Sequence, residues 1–321
     1  MIQRYDFAPL DGITKVVFRQ VYHRLFGGAD RYFIPFFSPT DQHILTKRDR
    51  RELDPAANAG LRVVPQVMTR RAPDFLWAAE LVADMGYTEV NLNLGCPSGT
   101  VTAKGKGSGF LAKPEELERF FDEVFASVKL PVSVKTRLGV KEPEEFERLL
   151  EIYNRYPIAC LTIHPRVQKQ FYKGTVYRDW FAWAAERSRN PLCYNGDLVT
   201  VEDCGAFEAD FPAIDAVMIG RGAVADPALF RKLRGGTPAT RREIQTFTRT
   251  LYQSYQEFYG QVGPAAQRMK EVWFFLIHLF EGGERHHKRM RRLRTPAEYE
   301  AVEAAIFQEL PLRDHAEGAF G

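Results

Sequence analysis

The chain has 321 residues, 45% of them hydrophobic and 26% charged, which excludes a disordered polymer, a collagen-like fibre and a coiled-coil rod. The net charge of +3, from 44 Lys and Arg against 41 Asp and Glu, is too mild to announce a nucleic-acid partner, so where the charge lies matters more. Four cysteines, Cys96, Cys160, Cys193 and Cys204, form no CxxC pair and no metal-ligand spacing; they read as reduced thiols, with no metal expected.

The opening MIQRYDFAPLDG puts Gln3, Arg4 and Asp6 where a signal peptide would need an apolar run. Short apolar runs then alternate with helical-period segments eight times. Strands are predicted at 5–8, 31–36, 62–67, 89–94, 132–136, 160–164, 192–195 and 216–219. Helices at 73–85, 114–128 and 143–156 have Pro73, Pro114 and Pro143 in their first turns, where a missing N–H costs nothing. This rhythm predicts a parallel sheet closed into a (β/α)8 TIM barrel, with a doubly wound open sheet as the competing architecture. Strand signals stop after Gly235, and helices are predicted at 241–259, 265–279 and 296–310. The expected organisation is therefore a barrel over 1–235 and a small C-terminal all-helical domain over 236–321. The most apolar segment, 272–280, is far shorter than the ~20 residues of a membrane span, so a cytoplasmic protein without a membrane partner is expected.

Active sites of parallel barrels lie at the C-terminal strand ends. Polar or turn-forming residues concentrate there: Ala8-Pro9-Leu10, Gln66, Asn93, Lys135, His164, Asn195-Gly196-Asp197 and Gly220-Arg221-Gly222. The loops after the seventh and eighth strands are where barrels commonly hold phosphate; glycine lets it approach the backbone and Arg221 offers a permanent cation. Lys135 is either a snorkelling lysine or a charge beside a cofactor ring that becomes anionic on reduction. Cys96, in Asn93-Leu94-Gly95-Cys96-Pro97 before the glycines at 105, 107 and 109, sits on a loop placed to move over a pocket. An unperturbed thiol, with a pKa of about 8.5, is mostly protonated at neutral pH and can donate that proton. The alternative, a small buried filler, better suits Cys160 and Cys193.

NLGCPSGTVTAKGKGSG closely resembles the signature of the tRNA-dihydrouridine synthases, and APL–DG, PQVM, SVKTRLG, IHPR, NGD and IGRG follow the family's order along essentially the whole chain. The resemblance implies an FMN-dependent enzyme that reduces the C5–C6 bond of selected uridines in tRNA with NADPH as reductant. Hydride would pass from the flavin to C6 while Cys96 protonates C5. It implies that Ala8, Pro9, Leu10, Gln66, Lys135, His164, Asn195, Gly196, Asp197, Gly220 and Arg221 hold FMN, with Asn93 and Arg166 close to the substrate. Leu10 stands where Met is usual, and HPRVQ where HGRT is commoner.

The run RHHKRMRRLR, 285–294, has six Lys or Arg and no acid. It is either a solvated helix face or, beside a tRNA-modifying barrel, a phosphate-contacting surface carried by Arg285, Lys288, Arg289, Arg291 and Arg292. No protein partner is implied. The competing readings are an FMN-dependent reductase of a small molecule, which leaves the basic run without a purpose, and an RNA-binding protein on a retired barrel, which needs neither Cys96 nor Lys135.

Overall fold

The computed structural model describes residues 2–318. Eight strands, β1 (Arg4–Phe7), β2 (Arg31–Phe37), β3 (Val63–Val67), β4 (Val90–Leu94), β5 (Val132–Gly139), β6 (Leu161–Val167), β7 (Leu192–Tyr194) and β8 (Ala216–Ile219), pair in sequence order. Every pairing is parallel, and β8 closes on β1 through Arg4↔Ala216 to Phe7↔Ile219. The result is the closed (β/α)8 barrel, not the open sheet.

Side chains of a strand alternate between the barrel axis and the surrounding helices. In β4, Val90, Leu92 and Leu94 join the large core under the helices, while Asn91 and Asn93 face the axis and share Gln66 as a hydrogen-bond partner. A separate apolar group inside the barrel contains Phe33, Val64, Cys160, Cys193 and Met218. The buried fillers expected at Cys160 and Cys193 are thus found, and Cys204 is buried as well.

β5 and β6 run three residues past their expected ends. Arg137 and the Pro165-Arg166 pair read as loop, yet the pairing continues through Arg137↔His164 to Gly139↔Val167 with one register shift. Both arginines are buried because the barrel supplies acceptors: Gly95 and Val167 carbonyls for Arg137, and the Asp197 carboxylate for Arg166. The helix expected from 143 starts at Glu145, whose carboxylate accepts the N–H groups of Val140, Lys141 and Glu142 and so folds the preceding turn back on the helix.

Beyond β8 come helices Arg241–Tyr259, Val262–Leu276, Glu284–Arg292 and Pro296–Glu309. Thr240 with Glu243 and Thr295 with Glu298 form capping boxes that fix two of the starts. The helical segment shares a core with the barrel's outer layer: Phe247 packs edge-on against Phe18 and Phe26 at centroid distances of 5.9 and 5.5 Å. Helix Val262–Leu276 lies against the short helix after β8 and brings Phe274 and Phe275 to the barrel mouth. Among the described residues, no helix is long and apolar enough to cross a membrane.

Candidate active site

A cavity of about 500 Å³ opens at the C-terminal ends of the strands. The structure brings twelve of the expected residues to its wall: Ala8, Pro9, Leu10, Asn93, Cys96, Lys135, His164, Asn195, Gly196, Asp197, Gly220 and Arg221. They come from β1, β4, β5, β6, β7, β8 and the loops that follow. Only barrel closure makes such distant segments neighbours.

Cations crowd this wall. Lys135 donates to Asn195 Oδ1 at 2.6 Å, and Asn195 Nδ2 in turn donates to the Met218 carbonyl at 2.7 Å. Burial, and then the neighbouring Arg137, push the Lys135 ammonium down to about 7. Burial and Arg137 likewise hold His164 well below the ordinary imidazole range, so its ring is neutral at physiological pH. Arg137 itself is pushed down to about 10, mainly by burial. Arg221 is lowered by burial too, although it donates to Asp197 Oδ1 at 2.7 Å.

Cys96 is half-buried on the wall, and burial raises its thiol pKa, so the sulfur carries its proton at neutral pH. Its backbone is pinned on both sides. Its N–H donates to Asn93 Oδ1 at 2.9 Å, and its carbonyl accepts from the Ser108 N–H and hydroxyl. Two of the glycines that follow also serve close packing. A Cβ on Gly107, at φ +56°, would sit 2.8 Å from the Cys96 carbonyl oxygen, and one on Gly109 2.8 Å from that of Thr102.

Two expected residues are absent from the wall. Gln66 is fully buried beneath it, with Nε2 donating to Asn91 at 2.8 Å and Oε1 accepting from Asn93 at 2.7 Å. Arg166 is only 2% exposed; its guanidinium grips both oxygens of Asp197, at 2.9 and 2.6 Å, and donates to the Lys173 and Gly174 carbonyls. It anchors the loop after β6 and, through Asp197, the position of Arg221. The basic run lies elsewhere: Arg285, Lys288, Arg289 and Arg292 line a surface depression with Gly282 and Glu284, and Arg291 lies on the same helix. Among the described residues no cluster of His, Cys, Asp and Glu could hold a metal ion.

The wall residues that were missed include Arg137, Phe171, Tyr172, Phe274 and Phe275. Arg137 shares the inward face of β5 with Ser133 and Lys135, so period-two alternation through SVKTR carries its signal. Phe171 and Tyr172, large and exposed, rim the mouth, and the Arg137 and Arg221 guanidiniums lie 5.3 and 5.0 Å from the Tyr172 ring centroid. Phe274 and Phe275 arrive from the C-terminal helices, an approach that no local pattern encodes.

Solved structures share the architecture. Morphinone reductase superposes over 73% of this chain and 86% of its own, with a TM-score of 0.52 at 16% identity, a likeness of fold alone. Sequence relatives are nearer. A probable tRNA-dihydrouridine synthase 1 of Synechocystis sp. is 31% identical over 83% of this chain and 76% of its own. A tRNA-dihydrouridine(16) synthase of Ralstonia nicotianae is 32% identical over 73% of each. A probable tRNA-dihydrouridine synthase of Rhodobacter capsulatus is 31% identical over 83% of this chain and 84% of its own. The family model for dihydrouridine synthase matches residues 6–310, from the first inward carboxylate of β1 to the end of the last helix. With Cys96, Lys135 and the two glycine-containing loops all inside that match, the chain belongs to the dihydrouridine synthase family.

Proposed function

We propose that the protein is an FMN-dependent enzyme that reduces the C5–C6 double bond of specific uridines in tRNA, with NADPH as reductant. The observation that carries this reading is the half-buried Cys96 thiol on the wall of a cavity that Lys135, Arg137 and Arg221 also line. The cavity fits the cofactor. About 500 Å³ lies within the range of cofactor pockets. Like-charge crowding between Lys135 and Arg137, which also helps hold His164 neutral, is relieved by an anionic guest.

In this reading Lys135 and Asn195 meet the ring, while Arg221, His164 and the backbone at Gly196 and Gly220 meet the phosphate. Asp197 holds Arg221 in place for it. FMN, when bound and reduced by NADPH, supplies the hydride that adds to C6. Cys96 gives its proton to C5, so the double bond gains two hydrogens and the sulfur is left as a thiolate. Arg137 and Lys135 favour that thiolate electrostatically, and it regains a proton from solvent. The apolar rim of Phe171, Phe274 and Phe275 keeps water from the reacting edge.

Residues 236–321 act as the tRNA-binding domain. Arg285, Lys288, Arg289, Arg291 and Arg292 contact phosphates, and a uridine is extruded into the cavity at a cost of a few kcal/mol. A cytoplasmic location accompanies that substrate. To test the proposal, purified protein is incubated with unmodified tRNA transcripts and NADPH, and the digested RNA is examined by mass spectrometry. Uridine gaining two hydrogens with wild type but not with Cys96→Ala is the expected result. A flavin-loaded, reducible protein that yields no product on any tRNA would move the function to reduction of a small molecule.

A further inference from the structure

A single file of hydrogen bonds runs inside the barrel from the catalytic loop to the opposite end of the sheet. At the top, the N–H groups of Gly95 and Cys96 donate to Asn93 Oδ1 at 3.0 and 2.9 Å. Asn93 Nδ2 donates to Gln66 Oε1 at 2.7 Å, and Gln66 Nε2 to Asn91 Oδ1 at 2.8 Å. Asn91 Nδ2 donates to Ser133 Oγ at 2.8 Å, and the Ser133 hydroxyl donates to Glu89 Oε1 at 2.6 Å. The other Glu89 oxygen accepts from Arg31, which also grips Asp6.

The two ends fix the direction of the file independently. Backbone N–H groups can only donate, so Asn93 must turn its oxygen to them and its NH2 to Gln66, and each amide below must follow. A carboxylate can only accept, so Ser133 must spend its one proton on Glu89 and accept from Asn91. Both demands orient the three amides the same way, and Gln66 and Asn91 are fully buried, where water cannot correct a wrong orientation.

We infer that Glu89 is a positioning residue for Cys96: its carboxylate, acting through Ser133, Asn91 and Gln66, sets the orientation of the Asn93 amide that holds the Gly95–Cys96 turn. The inference rests on the proposed role of Cys96 only for its effect on rate. A neutral amide at position 89 keeps its oxygen on Arg31 and turns its NH2 toward Ser133. The Ser133 hydroxyl, now accepting from residue 89, finds an acceptor for its own buried proton only by turning it to Asn91. The reversal passes upward until Asn93 presents an NH2 to the Cys96 N–H, donor against donor.

The test compares wild type, Glu89→Gln, and Glu89→Gln combined with Asn91→Asp, all as FMN-loaded full-length protein. In the double variant a carboxylate at 91 accepts from both Gln66 and Ser133, so the upper file regains its direction while the ion pair to Arg31 stays broken. Two readouts are taken: single-turnover reduction of tRNA uridine by pre-reduced enzyme, and the rate of iodoacetamide labelling of Cys96, the other three cysteines being buried. Glu89→Gln should slow uridine reduction about tenfold to a hundredfold, the scale of a misplaced reacting group. It should also quicken Cys96 labelling by about threefold as the turn loosens. The double variant should recover both, although its melting temperature stays as low as that of Glu89→Gln. Wild-type rate and labelling in Glu89→Gln, or failure of the double variant to recover either, overturns the inference. If wild type reduces no uridine at all, the functional reading fails by itself, and labelling alone still decides the relay.

Discussion

The two ends of the barrel interior both bury arginine, and they treat it in opposite ways. At the floor Arg31 faces Asp6 and Glu89, at distances of 2.7 and 2.8 Å. Burial works against its charge, but the bonds and charges of Asp6 and Glu89 more than offset this, and its pKa rises. At the mouth Lys135, Arg137, His164 and Arg221 crowd one wall; Arg221 pairs with the Asp197 carboxylate, itself already gripped by Arg166, and all four are shifted toward their neutral forms. The difference separates a structural use of buried charge from a functional one. A floor that is complete needs no ligand; a mouth with unbalanced positive charge is stabilised by an anion that the chain does not supply.

Breaking the two regions should have different consequences. The largest is at the mouth: Cys96→Ala should cost 10²- to 10⁴-fold in uridine reduction, on the order of a missing general acid. Flavin content and thermal stability should stay near wild type, which absorbance and a melting curve check. At the floor, Arg31→Leu removes the bidentate partner of the buried Asp6 carboxylate and the ion pair of Glu89, and should lower stability by about 3–5 kcal/mol in a denaturant titration. Lys135→Met should act in the reverse sense to Arg31→Leu: FMN-free protein melts higher, because a buried cation without a charge partner is gone, while FMN is released more readily in dialysis.

The pH dependence sharpens the contrast. Lys135 binds its proton less well folded, at about 7, than unfolded, near 10.4. The unfolded chain therefore holds more protons between these values, and Lys135 makes FMN-free protein more stable as pH rises through that window. A bound anion raises the Lys135 pKa, so FMN affinity should fall with rising pH over the same interval, measurable by fluorescence titration. The smallest effect is outside the barrel. Replacing Arg285 and Lys288 by Ala should raise the KM for tRNA and lower the slope of log affinity against log salt by about one for each phosphate no longer neutralised. NADPH oxidation by oxygen should be unchanged.

The architecture was legible because it is periodic. Alternating βα segments named all eight strands, and the polar residues at their ends predicted twelve positions of the cavity wall. What was hidden depends on partners far along the chain. Arg137 had a local signal in the alternation of SVKTR, but the burial of both Arg137 and Arg166 depends on distant acceptors, the Gly95 carbonyl and the Asp197 carboxylate. Gln66 was expected on the wall, and only the pairing of β3 with β4 reveals that Asn91 and Asn93 take up its amide. Gly107 and Gly109 gave no hint of their packing role, since the carbonyl oxygens that lie against them become neighbours only when the loop folds back.

The central claim, that the mouth is held short of an anion, is tested most directly by counting protons. FMN is titrated calorimetrically into FMN-free protein at pH 8 in buffers of different ionisation enthalpy. The account predicts net uptake approaching one proton per FMN bound, absent in Lys135→Met. Binding with no proton uptake in wild type would contradict it.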